Sequence, residues 1–352
     1  LRDYAGRGVI TTATYEARAM GVHSAMGVMK AAQLAPEAIL LPVDFAMYRH
    51  YSRLFKAAVA GIASRIEDSG IDEIYMDLTD LPDDTLALAQ RIKQAVKDAT
   101  GLSCSIGITP NKLLSKIASD LDKPNGLTIL SEADIESRIW PLPAKKVNGI
   151  GPKAAERLTR LGIHTIGDLA AIPVESLTRY FGQTTGLWLH RVAQGIDERP
   201  VVTESEPKSI SRETTFERDL HPLRDRAELS AIFTRLCAQV AQDLQKRRYL
   251  GRTIGIKLRF DDFRTVTRDL TIPRPTADAL EIRKAARACL KRVRLDRKLR
   301  LLGVRVSALS AEDARPDRQP RSPLGESLPL FSAADEPRME HEGPAQQAGA
   351  PE

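Results

Sequence analysis

Asp72 and Glu73 stand side by side in the otherwise apolar run Ile71-Asp72-Glu73-Ile74-Tyr75-Met76, and no other feature narrows the fold as much. Two carboxylates inside a strand-like run are costly to bury unless each has a partner or a bound cation. Successive side chains on a regular strand point to opposite faces. The pair can therefore serve one site only where the strand bends, and Gly70 offers a residue that allows bending. Magnesium takes oxygen ligands of this kind, often one or two carboxylates completed by substrate phosphates. An exposed edge or turn carrying harmless acids is the competing reading of the same residues.

Around this pair the chain alternates strand-like and helix-like pieces. Residues 8–13 (GVITTA) predict a strand, and a helix over 15–20 should stop at Gly21. Apolar spacing predicts a helix over 48–64, then a strand through IDEIYMDL, a helix over 85–99, a strand over 102–108 and a helix over 111–121. This alternation implies an α/β or α+β core. From about residue 132 the texture becomes short helices punctuated by glycine, and residues 197–207, with Pro200 and Pro207, read as a linker. Residues 208–309 alternate four strand-like pieces with two helical ones, which predicts a small sheet with helices on one face. Beyond residue 310 the composition predicts a disordered tail, with one apolar cluster, Ser327-Leu328-Pro329-Leu330-Phe331. At 352 residues the chain should form two to four domains.

Charge and cysteine usage bound the partners. Residues 208–309 carry 25 Lys and Arg against 12 Asp and Glu, a balance of +13, which leaves −7 for the rest of a chain whose net charge is +6. Positive charge gathered in one segment is the footprint of a phosphate-backbone binder, although a well-solvated basic domain has the same composition. Cys104, Cys237 and Cys289 are far apart and form no C-x-x-C pair, which argues against a disulfide framework or zinc site and fits a reducing cytoplasm. No apolar run approaches the length of about 20 residues that a membrane span needs, so no membrane partner is expected.

Three further motifs carry chemistry. Thr12, Tyr15 and Arg18 recur every three residues at a strand-to-helix junction, an arrangement suited to cradling a triphosphate, or else to plain packing and ion pairing. Lys123 is presented at the turn Asp122-Lys123-Pro124-Asn125-Gly126, a weak signal alone. Gly149-Ile150-Gly151-Pro152-Lys153, followed by a helix and then LGIHTIGDLA, is a helix-hairpin-helix pattern whose successive backbone N–H groups can hold a phosphate without reading sequence. The tail cluster is either a docking peptide or chance.

Taken in order and spacing, ATYEAR, GIDEIYMDLT, SIGITPNKLLSKIASDLDKPNG, the Gly149–Gly151 turn and the basic last segment resemble the Y-family translesion DNA polymerases, of the DNA polymerase IV (DinB) type, up to about residue 309. The resemblance implies an α+β multidomain, right-hand polymerase fold. Its parts would be partial fingers over 1–45, palm over 46–130, a helix-hairpin-helix thumb over 131–198, linker 199–207, an α/β little finger over 208–309 and a tail over 310–352. It implies two Mg²⁺ ions held by Asp72 and Glu73, and triphosphate contacts from Thr12, Tyr15, Arg18 and Lys123. Primer-template DNA would be held by Gly149, Ile150, Gly151, Lys153, Arg212 and Arg259. Leu328, Leu330 and Phe331 resemble a sliding-clamp peptide, with Ser327 where Gln is usual. The expected protein is a cytoplasmic monomer that takes deoxynucleoside triphosphates. Gly70 stands where the family usually has Ser, and Gly27 where a proline is typical. The first Met is Met20, and the family's first metal-binding Asp and aromatic steric gate belong to an opening strand ahead of Leu1. The chain as written is therefore expected to be a fragment, inactive or severely impaired. A catalytically silent DNA- and clamp-binding module and a helix-hairpin-helix nuclease subunit are the competing readings.

Overall fold

The structure, a computed structural model, describes residues 1–312; the tail cluster with Leu328, Leu330 and Phe331 lies outside the described residues. The chain forms two compact units, one of Pro42–Ser205 and one joining Leu1–Leu41 to the segment from Glu206 onward.

In the first 41 residues two short helices, α1 (Tyr15–Ala19) and α2 (Val28–Leu34), pack around Ile10, Val22, Val28, Ala31 and Ala35. The strand expected over 8–13 does not form. Ile10 N donates to Met26 O at 2.8 Å and Ala25 N to Ile10 O at 2.7 Å, but pairing with that loop stops at the isolated bridge Val9–Gly27. The β-branched run is satisfied by a loop rather than by a sheet.

The unit Pro42–Ser205 opens with α3 (Phe45–Ala60), three residues earlier than its apolar spacing suggests. Asp44 caps it, its Oδ1 accepting from Ala46 N and Met47 N at 2.9 and 3.0 Å, which satisfies two of the orphan donors of the first turn. Next come β1 (Ile66–Asp68) and β2 (Ile74–Met76), an antiparallel hairpin, and α4 (Thr85–Thr100), capped by Asp84 and ended by Gly101 at φ +72°. α3 and α4 enclose Val59, Leu88, Ile92 and Val96 against this hairpin. Then β3 (Ile106–Ile108), α5 (Lys112–Leu121) and β4 (Leu127–Ile129) form a parallel strand pair with its crossover helix. The strands expected over 71–78 and 102–108 shorten to three residues each, and the four strands form two separate two-stranded sheets. Four helices complete the unit: α6 (Pro152–Arg160), α7 (Ile166–Ala170), α8 (Val174–Phe181) and α9 (Gln183–Ala193). Their core takes in Leu113, Leu114, Ile117 and Ala118 from α5, so one helix serves both the strand pair and the helical part.

From Glu206 onward, β5 (Ser209–Leu220), β6 (Tyr249–Phe260), β7 (Thr265–Thr276) and β8 (Leu299–Ala311) build an antiparallel sheet in the order β5-β8-β6-β7. Helices α10 (Arg226–Lys246) and α11 (Ala279–Leu290) cover one face, as alternation predicts, over a core that includes Phe233, Val240, Ile254, Leu258, Phe260 and Ile282. Arg7 reaches this part of the same unit, its Nη1 donating to Asp219 Oδ1 at 2.7 Å and to Phe216 O at 3.2 Å. Among the described residues no helix is long and apolar enough to cross a membrane.

Candidate active site

Asp72 and Glu73 sit at the tip of the β1–β2 hairpin, both exposed, in the five-residue connection between the strands. The bend that lets neighbouring carboxylates share a site is present. Gly70 is not what makes it: its φ is not positive, and an added Cβ would meet nothing within 4 Å. Polar groups hold the bend instead. Lys56 Nζ donates to Asp68 Oδ1 at 2.8 Å and to Gly70 O at 2.7 Å, Gly70 N donates to the same Asp68 oxygen at 3.2 Å, and Ser69 N donates to Glu73 O at 3.2 Å.

Helix α5 backs the hairpin with two lysines one turn apart. Lys116 pairs with Glu73 Oε1 at the tip, and Lys112 Nζ donates to Glu67 Oε2 at 2.7 Å further down. Glu67 is the cross-strand partner of Tyr75, and the Lys112 ammonium lies 5.5 Å from the Tyr75 ring centroid. Burial opposes the charge on Lys116, but the hydrogen bond and charge of Glu73 outweigh it and raise its pKa. Burial likewise works to raise the Glu67 carboxyl, and the contacts from Lys112 and from Val202 N at 2.8 Å outweigh it and hold it below the ordinary value. Burial raises the Tyr75 phenol. Neither lysine was singled out by sequence reading; their i, i+4 spacing was visible, their partners were not.

Lys123 follows α5 and is paired with Asp120 at 2.5 Å. The turn after it needs Gly126, where a Cβ would stand 2.2 Å from Asp122 O. Lys93 Nζ pins the turn through Asn125 O and Oδ1, both at 2.8 Å, and Cys104 O at 2.7 Å. In the other unit, Tyr15 and Arg18 come together, the guanidinium 5.5 Å from the ring centroid and its Nε donating to Ala13 O at 2.9 Å. Thr12 precedes the helix and is exposed; Thr14, not Thr12, caps α1.

The Gly149-Ile150-Gly151 turn is built as its pattern requires. Val147 and Ile150 are buried anchors, Gly149 has φ +107°, and its missing Cβ leaves room for Trp188, which would otherwise be 2.8 Å away. Gly151 opens α6 with nothing within 4 Å of a Cβ, and Lys153 is exposed in the first turn. A shallow pocket there is lined by Lys116, Asp120, Lys145, Lys146 and residues 147–151. In the basic sheet, Arg212 and Arg259 do not share a surface. Arg212 pairs in register with the core residue Val304 and is held in a fork by Asp243 of α10, at 2.6 and 2.9 Å. Arg259 alternates with the core residues Leu258 and Phe260, so it lies on the face away from the helices, its Nε donating to Thr265 Oγ1 at 3.1 Å.

Asp72 and Glu73 are hard oxygen donors on adjacent exposed residues, with a lysine already balancing one of them, so the pair suits a divalent cation completed by phosphate and water oxygens. Among the described residues no cluster of three or more His, Cys, Asp or Glu stands poised to hold a metal by itself.

Residues 2–120 match the family model described as the impB/mucB/samB family, residues 207–320 that of its C-terminal domain, and residues 145–197 that of the DNA polymerase-iota thumb domain. The chain is 41% identical over 307 residues to a DNA polymerase IV of Methanoculleus marisnigri, covering 87% of this chain and 84% of that one. It is 39% identical over 302 residues to DNA polymerase IV 1 of Bacillus subtilis, covering 85% and 72%. A solved Y-family DNA polymerase chimera superposes with a TM-score of 0.75 at 27% identity, over 87% of this chain and 88% of that one. With these similarities running through the hairpin, the helical turn and the basic sheet alike, the chain belongs to the Y-family DNA polymerases, in the DNA polymerase IV group.

Proposed function

We propose that this chain is a template-directed DNA polymerase of the translesion type, and that the Asp72–Glu73 hairpin tip is its catalytic element. The observation that carries this reading is the placement of two adjacent exposed carboxylates at a bend backed by the α5 lysines, in a chain of this family. The reaction is attack of a primer 3′-hydroxyl on the α-phosphate of a deoxynucleoside triphosphate, with pyrophosphate leaving. Asp72 and Glu73 would hold Mg²⁺, which when bound neutralises charge on the attacking and leaving oxygens. The rest of the chain positions its substrates. Thr12, Tyr15 and Arg18, and separately Lys123, are the side chains proposed to meet the triphosphate. Gly149, Ile150 and Gly151 offer backbone N–H groups to a DNA phosphate, with Lys153 adding charge. Arg259 is suited to the DNA backbone from the open face of the sheet. Arg212, held by Asp243, would act chiefly by fixing β5 to α10.

Leu328, Leu330 and Phe331 would dock on a sliding clamp, a proposal that rests on sequence alone. Three free thiols, two of them buried, suit a cytoplasmic protein, and a monomer is the proposed state. The test is primer extension in Mg²⁺ by the protein as its gene encodes it, on intact and lesion-bearing templates. Incorporation that follows the templating base supports the reading; duplex binding without incorporation would favour the silent DNA-binding module.

A further inference from the structure

Lys116 touches two features at once. Its Nζ donates to Glu73 Oε1 at the hairpin tip, and the same residue lines the pocket bounded by residues 147–151. Lys145 and Lys146 line that pocket too; both are exposed, and neither is paired with an acid among the described residues. Asp120 is the acidic side chain on its wall, and its Oδ1 is occupied by Lys123 at 2.5 Å. The pocket thus joins two unpaired cations, one cation committed to Glu73, and a turn that is open at Gly151, where an added Cβ would meet nothing within 4 Å.

We propose that Lys116 is a shared counter-charge: Glu73 holds it while the tip carries no divalent cation, and cation binding releases it to the Gly149–Gly151 pocket, where it takes a backbone phosphate of duplex DNA. The proposal rests on the polymerase reading, because it takes Asp72 and Glu73 as cation ligands and the turn as a phosphate site. The physics is simple. A carboxylate that binds a dication has little attraction left for an ammonium, and the two positive charges repel at close range. The lysine stem is flexible, with a compact charge that can change partner by rotation of its own bonds. The pocket is the neighbouring place where that charge gains an anion. By linkage the effect is reciprocal, so bound duplex strengthens cation binding by the same factor.

The sign makes the idea testable. Divalent cations ordinarily weaken backbone binding, because they compete for the phosphates that a protein must neutralise. Here they should strengthen it. The measurement is fluorescence anisotropy of a labelled primer-template with a dideoxy-terminated primer and no nucleotide, at constant ionic strength, in EDTA and in Mg²⁺. For the unsubstituted protein, Mg²⁺ should tighten binding about five-fold, a typical size for coupling between two sites. Lys116→Met should abolish the tightening and, in Mg²⁺ only, lower the salt slope by about one. Glu73→Gln in EDTA should bind as tightly as the unsubstituted protein does in Mg²⁺, since the lysine is no longer held by a charge. Tightening that survives in Lys116→Met, or unsubstituted protein that binds duplex but is weakened by Mg²⁺, overturns the shared lysine and leaves the polymerase reading standing. Failure to bind duplex in either condition overturns both.

Discussion

Lys112 and Glu67 form the most enclosed ion pair of the unit that carries the hairpin, with Nζ to Oε2 at 2.7 Å and side chains 10% and 21% exposed. The same Glu67 oxygen accepts from Val202 N at 2.8 Å, so one carboxylate ties β1, α5 and the segment after α9 together. Asp197 repeats the device, accepting from Leu113 N at 3.0 Å while Arg199 forks onto it at 2.7 and 2.8 Å. The β1–β2 hairpin and the segment after α9 are thus referred to one helix.

Removing one partner of such a pair leaves the other charge poorly solvated. Lys112→Met is expected to lower unfolding stability by about 2–4 kcal/mol, somewhat under the scale of about 3–5 kcal/mol for breaking a fully buried pair, because Glu67 keeps some contact with water. The double variant with Glu67→Gln should lose less than the sum of the single losses. Urea unfolding of the four proteins in the cycle checks this, and strict additivity would count against the pair.

Acid should weaken the same framework. Arg199 holds the Asp197 carboxyl below its usual range, and Lys112 and Val202 outweigh burial to do so for Glu67. A carboxyl depressed in the folded state contributes stability that is complete above its unfolded pKa, near 4, and is lost as pH falls through the folded value. The urea midpoint should therefore be flat for these groups between pH 7 and pH 5 and should fall below about pH 4. Asp197→Asn should show a shallower acid decline than the unsubstituted chain. An equal decline would remove Asp197 from the account.

Gly149 and Gly151 should separate stability from binding. Gly149→Ala forces a side chain into φ +107° and against Trp188, and the backbone alone should cost about 1–3 kcal/mol. Gly151→Ala meets open space, and its stability change should stay within about 1 kcal/mol. Thermal unfolding gives the first comparison. In duplex anisotropy, Gly151→Ala should still weaken binding, since the new methyl stands on the exposed side of the turn.

The two arginines of the sheet should behave differently. Arg259→Ala is expected to weaken duplex binding and lower its salt slope by about one, as loss of a phosphate contact does. Arg212→Ala breaks a half-exposed fork with Asp243 and should cost about 1 kcal/mol of stability, with the salt slope unchanged. Equal salt slopes for both variants and the unsubstituted chain would show that neither arginine meets DNA.

Much of the site could be read from sequence because it depends on neighbours in the chain. The adjacent acids of 72 and 73 demanded a bend, and they are at one; the Gly149–Gly151 pattern predicted a turn ahead of a helix, and it leads into α6. Asp44 was a readable cap, and weighing it would have started α3 at the observed place. The rest depended on partners distant in sequence. Nothing local says that Lys112 meets an acid 45 residues away, or that residues 8–13 find only a loop to pair with. The basic excess of residues 208–309 overstated the free charge, because Arg212, Arg218, Lys257, Arg297 and Arg305 are each paired with an acid of the same domain. Composition counts charges, whereas tertiary structure decides which of them face a partner.

The catalytic role of the hairpin tip is tested most directly by single-turnover primer extension in Mg²⁺, comparing the protein as its gene encodes it with its Asp72→Asn and Glu73→Gln variants. Both side chains are exposed, so Asp72→Asn should leave the unfolding midpoint nearly unchanged, and Glu73→Gln, which gives up the Lys116 pair, should cost no more than about 1 kcal/mol. The account predicts that each lowers the extension rate by at least about a hundredfold, the scale on which loss of a charge-stabilising group acts in a transition state. Extension by both variants at the unsubstituted rate would contradict it and move the chemistry away from this hairpin.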